Sequence, residues 1–160
     1  MSESFTSHLQ WIGAGKGPTR DPASFSRDLR VAIGPLTLEM SSAPAYRGDS
    51  SRANPEQLFV AALSACQTLT YLFLAAKSHV AVVGYTDDAE GWLELVDGRM
   101  RMSRVILRPQ IVLQDGADAA KARELVEKAH RQCFIGNSVS TVVAIEPVVE
   151  FATTTTMMVA

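Results

Sequence analysis

The longest uncharged stretch of the chain is the feature that most limits how it can fold. Residues 58–76, LFVAALSACQTLTYLFLAA, run for nineteen residues without Asp, Glu, Lys or Arg. Just ahead of them, Asn54 suits an N-cap, Pro55 suits the first helical position and Gln57 completes a capping box. These signals predict a helix over residues 55–77, about 34 Å long at a rise of about 1.5 Å per residue.

A helix this apolar either spans a membrane or is buried within protein. About 20 apolar residues are enough to cross a bilayer, so length alone allows a membrane span. No asymmetry of Lys and Arg flanks the run, and amphipathic strands follow it. Polar side chains also interrupt the apolar surface at Ser64, Gln67, Thr68, Thr70 and Tyr71. We therefore predict a helix of a soluble protein that packs between sheets or against a second subunit.

The segments around this helix predict several strands and a second helix. Asp97 and Gly98 predict a hairpin turn. Residues 103–113 alternate apolar and polar side chains, although Pro109 suggests an edge position or a bulge. Further strands are predicted at 29–34, 80–86, 89–96 and 141–151, and an amphipathic helix at 118–133. This order predicts an α+β fold with antiparallel sheets around the long buried helix.

The composition limits the size, the partners and the compartment. A chain of 160 residues with 47% hydrophobic and 20% charged residues predicts a single domain over 1–160, with a frayed tail at 152–160. The net charge of −2 gives no reason to expect nucleic acid or a membrane surface as a partner. The two cysteines lack metal-ligand spacing, and no secretory signal begins the chain. We expect a cytoplasmic protein without a metal.

The two cysteines are the residues with the clearest chemical potential. Cys66 lies inside the uncharged run, where the plainest interpretation is a small buried side chain. Cys133 continues the apolar face of the helix at 118–133, so both cysteines point toward the interior and could meet. In that case an oxidised Cys66 could condense with Cys133 to a disulfide, provided that their Cα atoms approach within about 7 Å.

A reactive thiol at Cys66 would need a neighbouring positive charge. The residue lies about three turns into its helix, so the helix dipole is too remote to hold a thiolate. Glu56 has either a plain role as an acid near the helix N-terminus or a functional one, in which it orients an arginine by a bidentate pair. The composition does not choose among the loop arginines Arg20, Arg27, Arg47 and Arg52.

These motifs resemble a known protein family. The segments NPEQLFVAALSAC and AHRQC and the order of strands around them are similar to the osmotically inducible protein C and organic hydroperoxide resistance proteins, over about residues 25–150. The segment CFIGNSV resembles a less characterised branch of that family. The resemblance implies an OsmC-like intertwined homodimer with its active sites at the subunit interface. It also implies a peroxidase for organic hydroperoxides with no bound cofactor, recycled by an external dithiol of the lipoyl type.

The resemblance also implies roles for individual residues. It makes Cys66 the peroxidatic cysteine, Cys133 the resolving cysteine and Glu56 the carboxylate of the NPE motif. The segment SRDLRV points to Arg27 as the activating arginine, which we favour, and a position shortly before NPE points to Arg47 as the alternative. One departure is that Cys133 is followed by phenylalanine where the better known branches have proline.

The sequence also allows a function of another class. The same fold could bind an apolar ligand without catalysis, with both cysteines buried and inert.

Overall fold

The computed structural model describes residues 2–153 of the chain. It divides into two compact units, Met1–Leu58 and Phe59–Ala160. The single-domain organisation over 1–160 stays a prediction. Most of the predicted frayed tail at 152–160 lies outside the described residues.

The first unit is built on a three-stranded antiparallel sheet. Its strands are β1 (Ser7–Trp11), β2 (Leu29–Ile33) and β3 (Leu36–Met40), paired in that order. Cross-strand pairing aligns Leu9, Val31 and Leu38 in one row, so one face of the sheet is apolar. The sequence predicted β2 but not β3.

The long helix α1 runs over Pro55–Lys77, as predicted. The Gln57 N–H donates to Asn54 Oδ1 at 2.9 Å, and the Asn54 N–H donates to Gln57 Oε1 at 3.0 Å. This reciprocal pair confirms the capping box, which satisfies two of the backbone N–H groups that a helix start leaves without intrahelical partners.

The second unit contains two more three-stranded sheets and the helix α2. One sheet has the order β4-β7-β9 and the other the order β5-β6-β8, with α2 between β7 and β8 in the chain. The bounds are β4 Val82–Asp87, β5 Glu90–Val96, β6 Arg99–Leu107, β7 Pro109–Leu113, α2 Ala119–Gln132, β8 Val142–Ile145 and β9 Val148–Phe151. The predicted hairpin joins β5 to β6, where Asp97 and Gly98 both have positive φ, 50° and 76°.

The α+β arrangement is confirmed, and the sheets are mixed rather than wholly antiparallel. β6 pairs with β8, and β7 with β9, in parallel. Parallel pairing needs a long crossover connection, and the segment containing α2 supplies it. The single strand predicted over 103–113 is also divided at Arg108, because Pro109 begins β7 in the other sheet.

Helix α1 is buried along one side of its length within the second unit. Tyr71, Leu74 and Ala75 share a core cluster with α2 side chains such as Leu125 and Val126. The opposite side is an exposed, largely apolar stripe, here called the open face of α1: Ala61, Ala65, Leu69, Phe73 and Ala76. By length and composition this helix could cross a membrane, and 28% of its most apolar window is buried.

Candidate active site

Helix α1 places Cys66 at the edge of its buried face. Leu63 and Gln67 on either side of it are both about 1% exposed, whereas Leu69 is largely exposed. Cys66 itself is half-buried and free, so its sulfur lies where the packed interior of the second unit meets the open face.

Helix α2 brings the second cysteine to the same place. Asp118 caps its start by accepting the Lys121 N–H at 2.9 Å. Ala122, Leu125, Val126 and Ala129 form its buried face, and Cys133 stands at its C-cap with 2% of its surface exposed. The amphipathic period predicted for this helix therefore carries Cys133 into the interior.

The structure brings the two sulfurs together. The Cys66 side chain lies near enough to the Cys133 thiol to raise its pKa, and both cysteines are free thiols. The loop after α2 directs main-chain donors at them: the Ile135 N–H lies 3.5 Å from Cys66 Sγ, and the Gly136 N–H lies 3.3 Å from Cys133 Sγ. The Asn137 N–H, which donates to the Cys133 carbonyl at 2.9 Å, closes the turn that shapes this loop.

Burial sets the protonation of the inner thiol. Desolvation is the main cause that raises the pKa of Cys133 to about 11, and the neighbouring Cys66 side chain acts in the same direction. The Gly136 N–H opposes this rise because it favours the thiolate. Cys133 is therefore a protonated thiol at neutral pH, and Cys66 is the more accessible of the two sulfurs.

An apolar groove of about 750 Å³ opens at Cys66. Three large side chains stand exposed in its wall, Leu69 at 69%, Phe73 at 65% and Phe134 at 82%. Thr70, Gln132 and Asn137 supply its few polar groups. Such a groove can hold an apolar molecule against the Cys66 sulfur.

The favoured arginine, Arg27, and its alternative, Arg47, both lie in the first unit and both donate hydrogen bonds to one loop of it. The Arg27 guanidinium donates to the Phe25 carbonyl at 2.8 Å and to the Pro22 carbonyl at 2.7 Å, and it lies over the Phe25 ring. Arg47 donates to the Ala23 carbonyl at 3.1 Å. Within residues 2–153 neither arginine forms an ion pair with a carboxylate, so their charges are not compensated by one.

Arg52, another of the loop arginines, is surrounded by acids instead. Its guanidinium nitrogens lie 3.6 Å from Asp28, 3.1 Å from Glu39 and 3.4 Å from Asp49. Because three carboxylates compensate its charge, Arg52 is the weakest of the candidates for activating a thiol.

Glu56 lies in the first turn of α1, as predicted. Among the described residues it forms no ion pair with Arg27 or Arg47. The pairing of this carboxylate with an activating arginine therefore stays a prediction.

Two features of the site were missed at the level of sequence. The Ile135 and Gly136 amides left no signal, because every residue except proline carries a main-chain N–H. At Phe134 the sequence shows only that phenylalanine stands where the better known branches have proline. Its place in the groove wall depends on the turn after α2. Over residues 2–153, no cluster of three or more His, Cys, Asp or Glu side chains could hold a metal ion.

Comparisons with known proteins agree with this architecture. An OsmC-like protein of unknown function from Vibrio cholerae is 31% identical, with a TM-score of 0.84, over 92% of this chain and 100% of that chain. An organic hydroperoxide resistance protein from Elizabethkingia anophelis is 22% identical with a TM-score of 0.69, over 95% of this chain and 100% of that one. An organic hydroperoxide resistance protein from Legionella pneumophila is 20% identical with a TM-score of 0.67, over 94% of this chain and 98% of that one.

At identities of 20% and 22%, the likeness to the two hydroperoxide resistance proteins shows a shared fold. No curated protein matches the chain. The sequence model of the family described as OsmC-like protein matches residues 48–147, which include all of α1, α2 and both cysteines. The chain belongs to the OsmC-like family.

Proposed function

We propose that the protein is a thiol-dependent peroxidase that reduces organic hydroperoxides to alcohols. The observation that carries this proposal is the proximity of an accessible thiol, Cys66, to a buried protonated thiol, Cys133, beside an apolar groove. The family membership and the hydroperoxide resistance proteins that share the fold support the same reaction class.

In the first step the Cys66 thiolate attacks the outer oxygen of the hydroperoxide. A sulfur–oxygen bond forms while the oxygen–oxygen bond breaks, and the leaving alkoxide takes a proton from water to become the alcohol. Cys66 is thereby oxidised to a sulfenic acid. The groove favours an alkyl or lipid hydroperoxide over hydrogen peroxide, because the organic group loses its contact with water as it binds.

In the second step Cys133 resolves the oxidised sulfur. Its thiol displaces water from the Cys66 sulfenic acid, and the two sulfurs form a disulfide. An external dithiol, which we take to be of the lipoyl type, then reduces this disulfide by exchange and becomes a disulfide itself. No bound cofactor takes part in this proposal.

The oligomeric state, the compartment and the residues that activate Cys66 are also part of the proposal. We take the working form to be an intertwined homodimer in the cytoplasm, with its active sites at the subunit interface. Arg27, or Arg47 in its place, would supply the positive charge beside Cys66, and Glu56 would orient it. The uncompensated charges of both arginines support this choice over Arg52.

Intact-mass measurement after one equivalent of cumene hydroperoxide tests the reaction directly. We expect the protein to lose two hydrogen atoms in mass and to regain them with a dithiol. Hydrogen peroxide at the same concentration should react more slowly. A chain whose mass is unchanged by the organic hydroperoxide would contradict the proposal.

The same groove could serve a binding protein without catalysis, and thiol labelling separates the two functions. The peroxidase requires Cys66 to react with iodoacetamide at neutral pH. If both native cysteines resist labelling and a fluorescent fatty acid binds in the groove, the protein is a carrier of apolar ligands instead.

A further inference from the structure

Within residues 2–153, the one hydrogen-bond donor to Cys66 Sγ is a backbone group. The Ile135 N–H lies 3.5 Å from that sulfur. The same N–H also acts on Cys133, where it favours the thiolate form of the inner sulfur. One main-chain donor thus serves both sulfur atoms that the proposed reaction joins.

The loop holds this donor in a fixed direction. Ile135 has φ of −67° and ψ of −42°, ordinary helical values, as the residue that begins a short 3-10 turn. Its carbonyl accepts the Ser138 N–H at 3.0 Å, and the Phe134 carbonyl accepts the Ser138 hydroxyl at 2.7 Å. The peptide between residues 134 and 135 is therefore fastened on the side away from the sulfurs.

We infer that the Ile135 main-chain N–H is a catalytic donor that holds the attacking sulfur of Cys66 in its thiolate form, a task that the sequence assigned to an arginine alone. A donor aimed at a sulfur favours the charged form over the neutral thiol. Its catalytic meaning rests on the proposed function, but its effect on the sulfur does not.

This donor has a particular kinetic signature. Removing it lowers the fraction of thiolate at neutral pH, while each remaining thiolate becomes a better nucleophile. Nucleophilicity changes with a Brønsted slope of only about 0.4–0.5, so a tenfold loss of thiolate leaves a net loss of about threefold in rate. At high pH, where the thiol is ionised in either case, the loss disappears or reverses.

The first test is Ile135→Pro, with Ile135→Ala as the matched control. Proline removes the N–H and suits the observed φ, whereas alanine removes the side chain and keeps the donor. We expect iodoacetamide to alkylate Cys66 about threefold more slowly at pH 7 in the proline variant than in the alanine variant, and at least as fast at pH 10. Equal rates for the two variants at pH 7 would overturn the inference.

Proline at position 135 also restricts the backbone conformation of Phe134. A second variant therefore tests whether a distorted loop causes the effect. An ester in place of the 134–135 peptide bond, introduced with the hydroxy acid analogue of isoleucine, removes only the N–H. An ester in place of the 133–134 bond is the control, and circular dichroism checks both folds. The inference requires that the 134–135 ester alone slow the alkylation of Cys66 at pH 7 and not at pH 10. Equal slowing at both pH values would overturn it.

These measurements use no peroxide, so they separate the inference from the peroxidase proposal. A crossover without disulfide formation by cumene hydroperoxide would support the donor and contradict the peroxidase. Disulfide formation without a crossover would support the peroxidase and leave activation of Cys66 to an arginine.

Discussion

The two sulfur atoms differ in their surroundings although they are neighbours. Cys66 is half-buried beside a groove, whereas Cys133 is 2% exposed at the end of a packed helix. Burial raises the pKa of Cys133 to about 11, so the inner sulfur is a poor nucleophile toward a peroxide at neutral pH. This difference predicts an order of events for the two residues.

Single serine substitutions test that order. Cys66→Ser should abolish turnover of cumene hydroperoxide, because the accessible nucleophile is lost. Cys133→Ser should still take up one oxygen atom at Cys66 and stop at a sulfenic acid, which dimedone traps and mass spectrometry detects. Unmodified protein in the second case would show that the peroxide does not oxidise Cys66 before Cys133 takes part.

The raised pKa of Cys133 also predicts how stability depends on pH. The folded thiol titrates near pH 11 and an ordinary thiol near 9.0, so between these values the unfolded chain has lost the proton that the folded chain keeps. The free energy of unfolding should therefore be unaffected by this group below about pH 9 and should fall as the pH rises toward 11. Urea titrations across this range, with Cys133→Ser as the control, should show a smaller fall in the variant.

At the scale of the elements, the turn after α2 forms one wall of the groove. Phe134 is 82% exposed there, opposite Leu69 and Phe73 of α1. A bound organic group would cover these rings, so the wall should govern which hydroperoxides react well.

Phe134→Ala tests the wall without touching either sulfur. We expect kcat/KM for cumene hydroperoxide to fall about tenfold, which corresponds to about 1.4 kcal/mol of lost apolar burial. The rate with hydrogen peroxide should stay within about twofold, since that substrate has no organic group to bury. An equal loss for both substrates would indicate damage to the cysteines rather than to the groove.

The start of α1 offers a test of its capping box. Asn54→Ala removes the oxygen that accepts the Gln57 N–H, and the free energy of unfolding should fall by about 1 kcal/mol. Asn54→Ser keeps an acceptor at this position and should lose much less. Urea denaturation monitored by circular dichroism measures both, and equal stabilities would show that the cap contributes nothing.

Local features were predictable from the sequence, and features that depend on distant pairing were not. The Asn54 cap and the Asp97–Gly98 hairpin are encoded within a few residues, and both were predicted. The parallel pairing of β6 with β8 joins residues as far apart as Arg104 and Val142, which no short pattern encodes. The proximity of Cys66 and Cys133 was only partly predictable. The helical period gives the direction of each side chain but not the distance between the two sulfurs.

At the scale of the whole molecule, the open face of α1 is an apolar surface that is exposed in the single chain. Ala61, Ala65, Leu69, Phe73 and Ala76 follow one another along that side of the helix. Small alanines allow close approach of another backbone, and exposed aromatic and leucine side chains provide area to bury. The proposed homodimer would cover this face.

Ala65→Glu tests the homodimer at a residue outside the groove wall. We expect the dimer dissociation constant to rise on the order of a hundredfold, since a buried unpaired charge at an interface costs several kcal/mol. Sedimentation velocity measures the change, with Lys77→Glu at the exposed end of the helix as a control. An unchanged dimer would place the interface elsewhere, and a monomeric wild-type protein would contradict the proposal.

The parallel pairs described for the second unit also determine when the site can form. β6 and β7 cannot gain their partners β8 and β9 until the chain has passed through α2 and reached Phe151. Contacts between such distant segments form slowly, because a long loop must close before they are made. The thiol pair should therefore form late in folding, so an oxidant that arrives earlier would meet two separate cysteines instead of an adjacent pair.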